Sequence, residues 1–155
     1  MPDRDTLKRA REDAREGKSP STQAGEFVHE EIEHIREGKH GARNAKQAIA
    51  IGLSKARRAG VKLPPPKPGS TSRETRAQAA RDTAKAQSAE PTKVSAKRSR
   101  VAREALQREP TIAASHVALS RHAIASARSR SAADRSEAAQ KAAVRTKRRA
   151  AKGGN

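Results

Sequence analysis

The sequence is poor in the residues that build large cores and reactive sites. Its 155 residues include no Cys, Trp or Tyr, a single Phe, and only 18 residues of Leu, Ile, Val and Phe combined. Without Cys, disulfides, thiolate zinc sites and cysteine nucleophiles are excluded. Nothing approaches about 18 consecutive apolar residues, which argues against a membrane-spanning helix. So few large apolar residues in a highly charged chain also argue against one large globule and against the dry pocket of a typical enzyme.

Positive charge is what the chain has in excess. It carries 35 Lys and Arg against 17 Asp and Glu, for a net charge of +18. The distribution is uneven, with −3 over residues 1–37, +7 over 38–63 and +14 over 64–155. The acids in the first segment fit neither a secretory signal nor a transit peptide, so we expect a cytoplasmic protein. A chain of this charge is expected to bind an anion.

Hydrophobic periodicity predicts one helical hairpin. Apolar residues at three- and four-residue spacing indicate helices over 23–37 and 44–59, with Asn44 as the N-cap of the second helix and Gly60 at its end. Nine of the 19 large hydrophobic residues lie between Phe27 and Leu63. About 40 residues seldom fold alone, so self-association through the hairpin or folding on a partner is the hypothesis.

The remaining segments are predicted to lack a core. Residues 1–21 form a charged segment with a marginal helix over 3–16, 64–72 a proline-rich spacer, and 73–155 a basic tail rich in Ala, Lys, Arg and Ser. Tail stretches 73–87, 95–108, 111–129 and 132–150 have helix-forming composition. The expected fold is mainly α, with a short helical hairpin (about 22–63) and a long basic, largely disordered or conditionally helical tail.

Clusters of basic residues are the main functional signal. A cation every few residues matches a polyphosphate, whose condensed counterions are released on binding. With one aromatic residue the chain cannot build base-stacking platforms, so we expect phosphate contacts without sequence readout. Duplex DNA is favoured over single strands, and structured RNA is the second candidate. The predicted contact residues are Lys46, Lys55, Arg57, Arg58 and Lys62 in the hairpin, and Lys97, Arg98, Arg100, Arg103, Lys147, Arg148 and Arg149 in the tail.

Histidines raise the question of a metal. Residues 29–33 come close to the zinc-protease pattern but end in Glu33, where a second His is needed. Glu31 and His34 have the i, i+3 spacing of di-iron bundles, whereas the other such pair, ending at His40, spans a glycine. An acidic helix face with polar histidines explains the pattern better. We therefore predict no metal, no cofactor, no small-molecule substrate and no catalysis.

One segment resembles a known family. Residues 46–60, with the sequence KQAIAIGLSKARRAG, resemble a motif of small basic bacterial proteins that form a domain-of-unknown-function family, some of whose members are labelled DNA-binding. The resemblance covers about Gly25–Leu63 and implies a bacterial origin and DNA binding. Lys55 stands where many relatives have an acidic residue, and residues 30–37 are Glu-rich where relatives are rich in Lys, Gly and Ser. The tail resembles linker-histone-like bacterial proteins in composition only.

The sequence thus favours a non-enzymatic protein that binds nucleic acid without sequence preference and is nucleoid-associated or stress-linked. The alternative is an assembly factor whose hairpin binds a helical partner and whose tail binds an acidic protein or the ribosome. No membrane partner is expected, because Trp, Tyr and a broad apolar helix face are lacking.

Overall fold

The computed structural model describes residues 2–88 and 95–152, and every regular element in them is helical. These residues form α1 (Arg4–Arg15), α2 (Pro20–Arg36), α3 (Ala45–Arg58), α4 (Arg73–Gln87), α5 (Ala96–Gln107), a 3₁₀ turn (Thr111–Ala114), α6 (His116–Arg128) and α7 (Ala132–Lys152). The expected fold of a short hairpin followed by a largely disordered tail is therefore wrong. Four α-helices and the 3₁₀ turn form within the residues assigned to that tail.

The chain divides into two compact units, Met1–Ala118 and Leu119–Asn155. The first unit contains α1 to α5, the 3₁₀ turn and the start of α6. The second contains the rest of α6 and α7, and its described side chains are exposed or half-buried. In the described part of the chain, no helix combines the length and the apolar character needed to span a membrane.

The central pair of the first unit is the α2–α3 hairpin. Ser19 caps α2 by accepting a hydrogen bond from the Thr22 amide (3.4 Å), and Pro20 occupies the first turn, so this helix begins three residues earlier than predicted. The predicted ends of α3 are confirmed. Asn44 accepts from the Gln47 amide at 2.9 Å, and Gly60 adopts a φ of +94° beyond the last turn.

Two small clusters of buried residues hold the first unit together, and alanine dominates both. The first cluster comprises Ala10, Ala24, Phe27 and Ala56, with Leu7, Leu53, Val61 and Leu63 packed against it. The second comprises Ile35, Ala42, Ala48, Ala113 and Ala114, with Ile32 packed against it. Because α1 and the 3₁₀ turn supply residues to these clusters, the hairpin completes its apolar contacts within its own chain.

Small residues let the two hairpin helices approach closely. At Gly52 of α3, a Cβ atom would lie only 2.7 Å from the Cα of Val28 in α2 and 3.0 Å from the carbonyl oxygen of Phe27. Only glycine fits between the two backbones without displacing them. The helix crossing is thereby fixed by the absence of a side chain.

Helix α4 is held against α3 by one buried carboxylate. Asp82 accepts hydrogen bonds from Ser54 Oγ (2.7 Å) and Arg58 Nε (2.9 Å) of α3, and from Gln78 Nε2 (3.0 Å) of α4 itself. Ala79 is buried one turn earlier. This segment has few large apolar residues and was predicted to lack a core, but hydrogen bonds to Asp82 and the buried Ala79 attach it to α3.

The end of α5 and the segment after it are attached to the hairpin through main-chain carbonyl groups. The Gly41 amide donates to the Leu106 carbonyl (2.8 Å), and the Ala42 amide donates to the Pro110 carbonyl (3.1 Å). Arg36 Nε donates to the Ala114 carbonyl (3.1 Å). A Cβ atom at Gly41 would lie 1.8 Å from the Glu109 carbonyl oxygen, so the close approach again requires glycine.

Candidate nucleic-acid interface

The structure places the hairpin cations in two different environments. Lys46, near the start of α3, and Lys62, beyond its end, are exposed. Lys55 is half-buried and Arg57 is buried, while Arg58 extends to Asp82 in α4. Three of the five predicted contact residues in the hairpin are thus engaged within the protein.

Lys55 is neutralised by two buried carboxylates of α2. Its Nζ atom lies 2.6 Å from Glu31 Oε2 and 3.2 Å from Glu30 Oε1. Burial by itself lowers the pKa of Lys55, but the hydrogen bond to Glu31 and the charges of Glu31 and Glu30 outweigh it, so the pKa is raised. Lys55 stays charged at neutral pH, and its charge is directed inward.

Arg57 lines a cavity of about 390 Å³ that also borders Lys62, Leu63, Thr83 and Gln87. Its Nε atom is buried and has no hydrogen-bond partner. Burial lowers the pKa of Arg57, and this effect exceeds the opposite effect of the Asp82 charge. Arg57 is only 8% exposed, so little of it is available for contact with a duplex backbone.

The four predicted contact residues between positions 97 and 103 are exposed and lie on one helix. Lys97, Arg98, Arg100 and Arg103 all lie on α5, a helix in which no residue is buried. Three of them follow one another at three-residue spacing, so they lie along one side of the helix. In the described part of the chain, no carboxylate lies within 4.0 Å of any of these four side chains.

The remaining predicted contacts lie near the end of α7. The side chain of Lys147 is exposed. Arg148 and Arg149 belong to the same helix, but their side chains lie outside the described part of the structure. Of the twelve predicted residues, the structure therefore brings one exposed group together, the four cations of α5.

Helix α1 carries a basic stripe that was not predicted from the sequence. Arg4, Lys8, Arg11 and Arg15 are spaced four, three and four residues apart, so they share one face, and all are exposed. The opposite face is buried through Thr6, Ala10 and Asp13. Counting net charge over residues 1–37 concealed this stripe, because several acids of that segment point inward. A helical-wheel count on α1 alone would have revealed it.

A second feature of the first unit is a cluster of carboxylates and histidines beneath Lys55. His34 Nε2 lies 3.2 Å from Asp3 Oδ2, and His34 Nδ1 lies 3.9 Å from Glu30 Oε1. His40 Nε2 lies 3.3 Å from Glu31 Oε1. The two imidazole rings are 6.4 Å apart between centroids, at an interplanar angle of 82°.

Comparison with known protein families finds a match over about a third of the chain. Residues 15–67 match the model of a family of unknown function, DUF6496. The matched segment contains all of α2 and α3, and therefore the motif at residues 46–60, as well as the buried pair Glu30 and Glu31. The four cations of α5 and nearly all of α1 lie outside the DUF6496 match. No curated protein and no solved structure matches this chain.

Proposed function

We propose that the protein is a non-enzymatic, nucleoid-associated or stress-linked protein that binds nucleic acid without sequence preference, with duplex DNA as the preferred ligand. The observation that carries the proposal is the exposed group of four cations on α5, none of which lies within 4.0 Å of a carboxylate among the described residues. Exposed cations without internal partners are the groups that release condensed counterions from a polyphosphate. The net charge of +18 supplies the long-range attraction.

The scarcity of aromatic residues supports the binding mode. Phe27 is the only aromatic residue other than histidine, and it is buried in the hairpin core. No phenylalanine, tyrosine or tryptophan ring is therefore presented for base stacking. Binding that rests on phosphate contacts carries no direct sequence information.

The test is fluorescence anisotropy of the full chain on a random-sequence duplex at several salt concentrations. The key variant replaces Lys97, Arg98, Arg100 and Arg103 by Gln. If all four contact phosphates, the slope of log K against log salt should become less steep by roughly 3.6, at about 0.9 per contact. A second variant with the three arginines changed to lysine keeps the charge and should bind much like the wild type.

The α1 stripe supplies a matched control. Changing Arg4, Lys8, Arg11 and Arg15 to Gln removes the same charge from another exposed face, and should alter the slope much less if α5 is the surface that contacts phosphates. An equal decrease in slope for the α1 and α5 variants would show that binding depends on net charge alone, and would refute the role of α5. No salt-sensitive binding by the wild type at about 50 mM salt would refute the proposed function.

The assembly-factor alternative makes a different forecast. An acidic protein partner would be mimicked by polyglutamate, which would bind as tightly as duplex DNA of equal charge. Self-association through the hairpin also stays a prediction, and a melting temperature that rises with protein concentration would support it.

A further inference from the structure

The cluster of Asp3, Glu30, Glu31, His34 and Lys55 is short of positive charge. At ion-pair distance these three carboxylates have a single ammonium group, that of Lys55, so with neutral histidines the groups sum to −2. Lys39, which is paired with Glu37, adds a positive charge near Asp3 and Glu30 only at longer range. Glu31 is the most enclosed member, with a side chain only 1% exposed. Buried charge of this kind is costly unless a counter-charge neutralises it.

The hydrogen bonding of His40 shows where positive charge is missing. Its Nδ1 atom lies 3.1 Å from the carbonyl oxygen of Gly41, which can only accept, so Nδ1 carries the proton. A neutral imidazole then presents the Nε2 lone pair to Glu31 Oε1, 3.3 Å away. Two facing lone pairs repel each other unless a proton or a metal cation lies between them.

His34 repeats the pattern. Its Nε2 atom lies 3.2 Å from Asp3 Oδ2, and a carboxylate oxygen likewise only accepts, so the proton lies on Nε2. The lone pair of Nδ1 then faces Glu30 Oε1, which lies 3.9 Å away. In metal sites, a ligating histidine almost always donates its other N–H to a carboxylate or a backbone carbonyl, and each histidine here has one such acceptor.

Glu31 provides an independent observation. Both of its carboxylate oxygens are buried; Oε2 pairs with the Lys55 ammonium at 2.6 Å, whereas Oε1 has only the His40 ring, at 3.3 Å. Buried carboxylate oxygens are normally satisfied by donors or by a metal ion. Oε1, the oxygen without an ammonium partner, is the one that faces Nε2 of His40.

We propose that Glu31, His34 and His40 form a binding site for one divalent transition-metal ion of the zinc class. One ligand atom from each residue lies within 4.8 Å of the other two. Ligand atoms on one tetrahedral zinc ion are about 3.3 Å apart, so side-chain rotation has to close the site by up to about 1.5 Å. Imidazole and carboxylate together select zinc, cobalt or nickel over magnesium and calcium.

The site would link the end of α2 to the loop that follows it. Glu31 and His34 lie on α2, while His40 lies beyond Gly38, next to the Gly41 and Ala42 amides that hold the segment after α5. A bound ion would thus stabilise the folded first unit, and a divalent charge would balance the −2 of the cluster. Binding of this kind couples directly to stability.

The first experiment uses untagged, chelator-treated full-length protein. Zinc should raise the melting temperature by several degrees, while magnesium at the same concentration should leave it unchanged. Cobalt should bind at one ion per chain and produce a visible d–d absorption band. Failure of both zinc and cobalt to give these responses would overturn the proposal.

Variants then locate the ion. His40→Gln and His34→Gln should each remove the cobalt band, and the control His29→Gln, an exposed histidine on the same helix, should keep it. A band that survives both cluster variants, or one that His29→Gln abolishes, would refute the assignment. If protons rather than a metal supply the missing charge, the metal-free protein will become more stable as the pH falls from 7 to 5.5 and will not respond to zinc.

Discussion

Asp82 is the residue through which α4 is attached to the hairpin, so its replacement by alanine should release that helix. Its side chain is 1% exposed and accepts from Ser54, Arg58 and Gln78 at 2.7, 2.9 and 3.0 Å. Two of these donors belong to α3. The substitution removes the only hydrogen bonds that join α3 and α4 through side chains among the described residues.

The cost follows from the environment of each donor. A hydrogen bond to a charged acceptor contributes about 1.5–3 kcal/mol, and the bond from Ser54 is of this kind. The bond from Arg58 contributes less, because that side chain is 53% exposed and water screens its charge. Alanine also removes the cost of burying a carboxylate. We expect a net loss of about 2–3 kcal/mol in the free energy of unfolding, which lowers the melting temperature by roughly 10 °C.

Thermal melting and hydrogen exchange measured by mass spectrometry check this prediction. Loss of amide protection should concentrate in residues 73–87, while α2 keeps its protection. Asp82→Asn, which retains one acceptor oxygen, should fall between the wild type and Asp82→Ala. The exposed Asp5→Asn is the matched control, with an effect below about 1 kcal/mol. Unchanged exchange over 73–87 in Asp82→Ala would refute the reasoning.

Three further substitutions test the packing of the first unit. Lys55→Met leaves two buried carboxylates without their ammonium and should destabilise by about 2–3 kcal/mol in denaturant melts, whereas the exposed Lys46→Met should change stability by less than about 0.5 kcal/mol. Gly52→Ala should lower the free energy of unfolding by about 1–3 kcal/mol, because the added Cβ forces α2 and α3 apart. Gly25→Ala, at an open helical position, should instead stabilise the protein by up to about 1 kcal/mol. Melts that rank the two glycine variants in the reverse order would contradict the close approach of the two helices. Gly41→Ala should abolish exchange protection at residues 106–114, and retained protection there would count against main-chain docking.

Much of the hairpin could be predicted because its signals are local. The cap at Asn44 and the glycine at position 60 are read from single residues whose chemistry suits a helix end. The apolar residues of α2 and α3 recur at helical spacing. Helix-forming composition also predicted the positions of the later helices, at 73–87 (α4), 95–108 (α5), 111–129 (the 3₁₀ turn and α6) and 132–150 (α7).

The docking of the later segments could not be predicted in the same way. Counting large apolar residues gave no weight to Ala113 and Ala114, which fill the second cluster because their small side chains allow close backbone contact. Hydrogen bonds between main-chain groups, such as those of Gly41, leave no pattern in side-chain chemistry. The proximity of His40 to Glu31 could not be predicted either, because the turn at Gly38 was taken to separate His40 from α2, whereas it returns the chain to that helix.

The anchoring of α5 at its carboxyl end has a consequence for binding affinity. An unfolded basic segment has to be ordered by its ligand, at about 1–2 kcal/mol of backbone entropy per residue. The hydrogen bond from the Gly41 amide to the Leu106 carbonyl joins the last turn of α5 to the hairpin. Part of the backbone entropy of α5 is therefore already lost when the first unit folds. The four cations of α5 are therefore preorganised, and even a short duplex that spans one helix length, about 18 Å, should be bound without a coupled folding step.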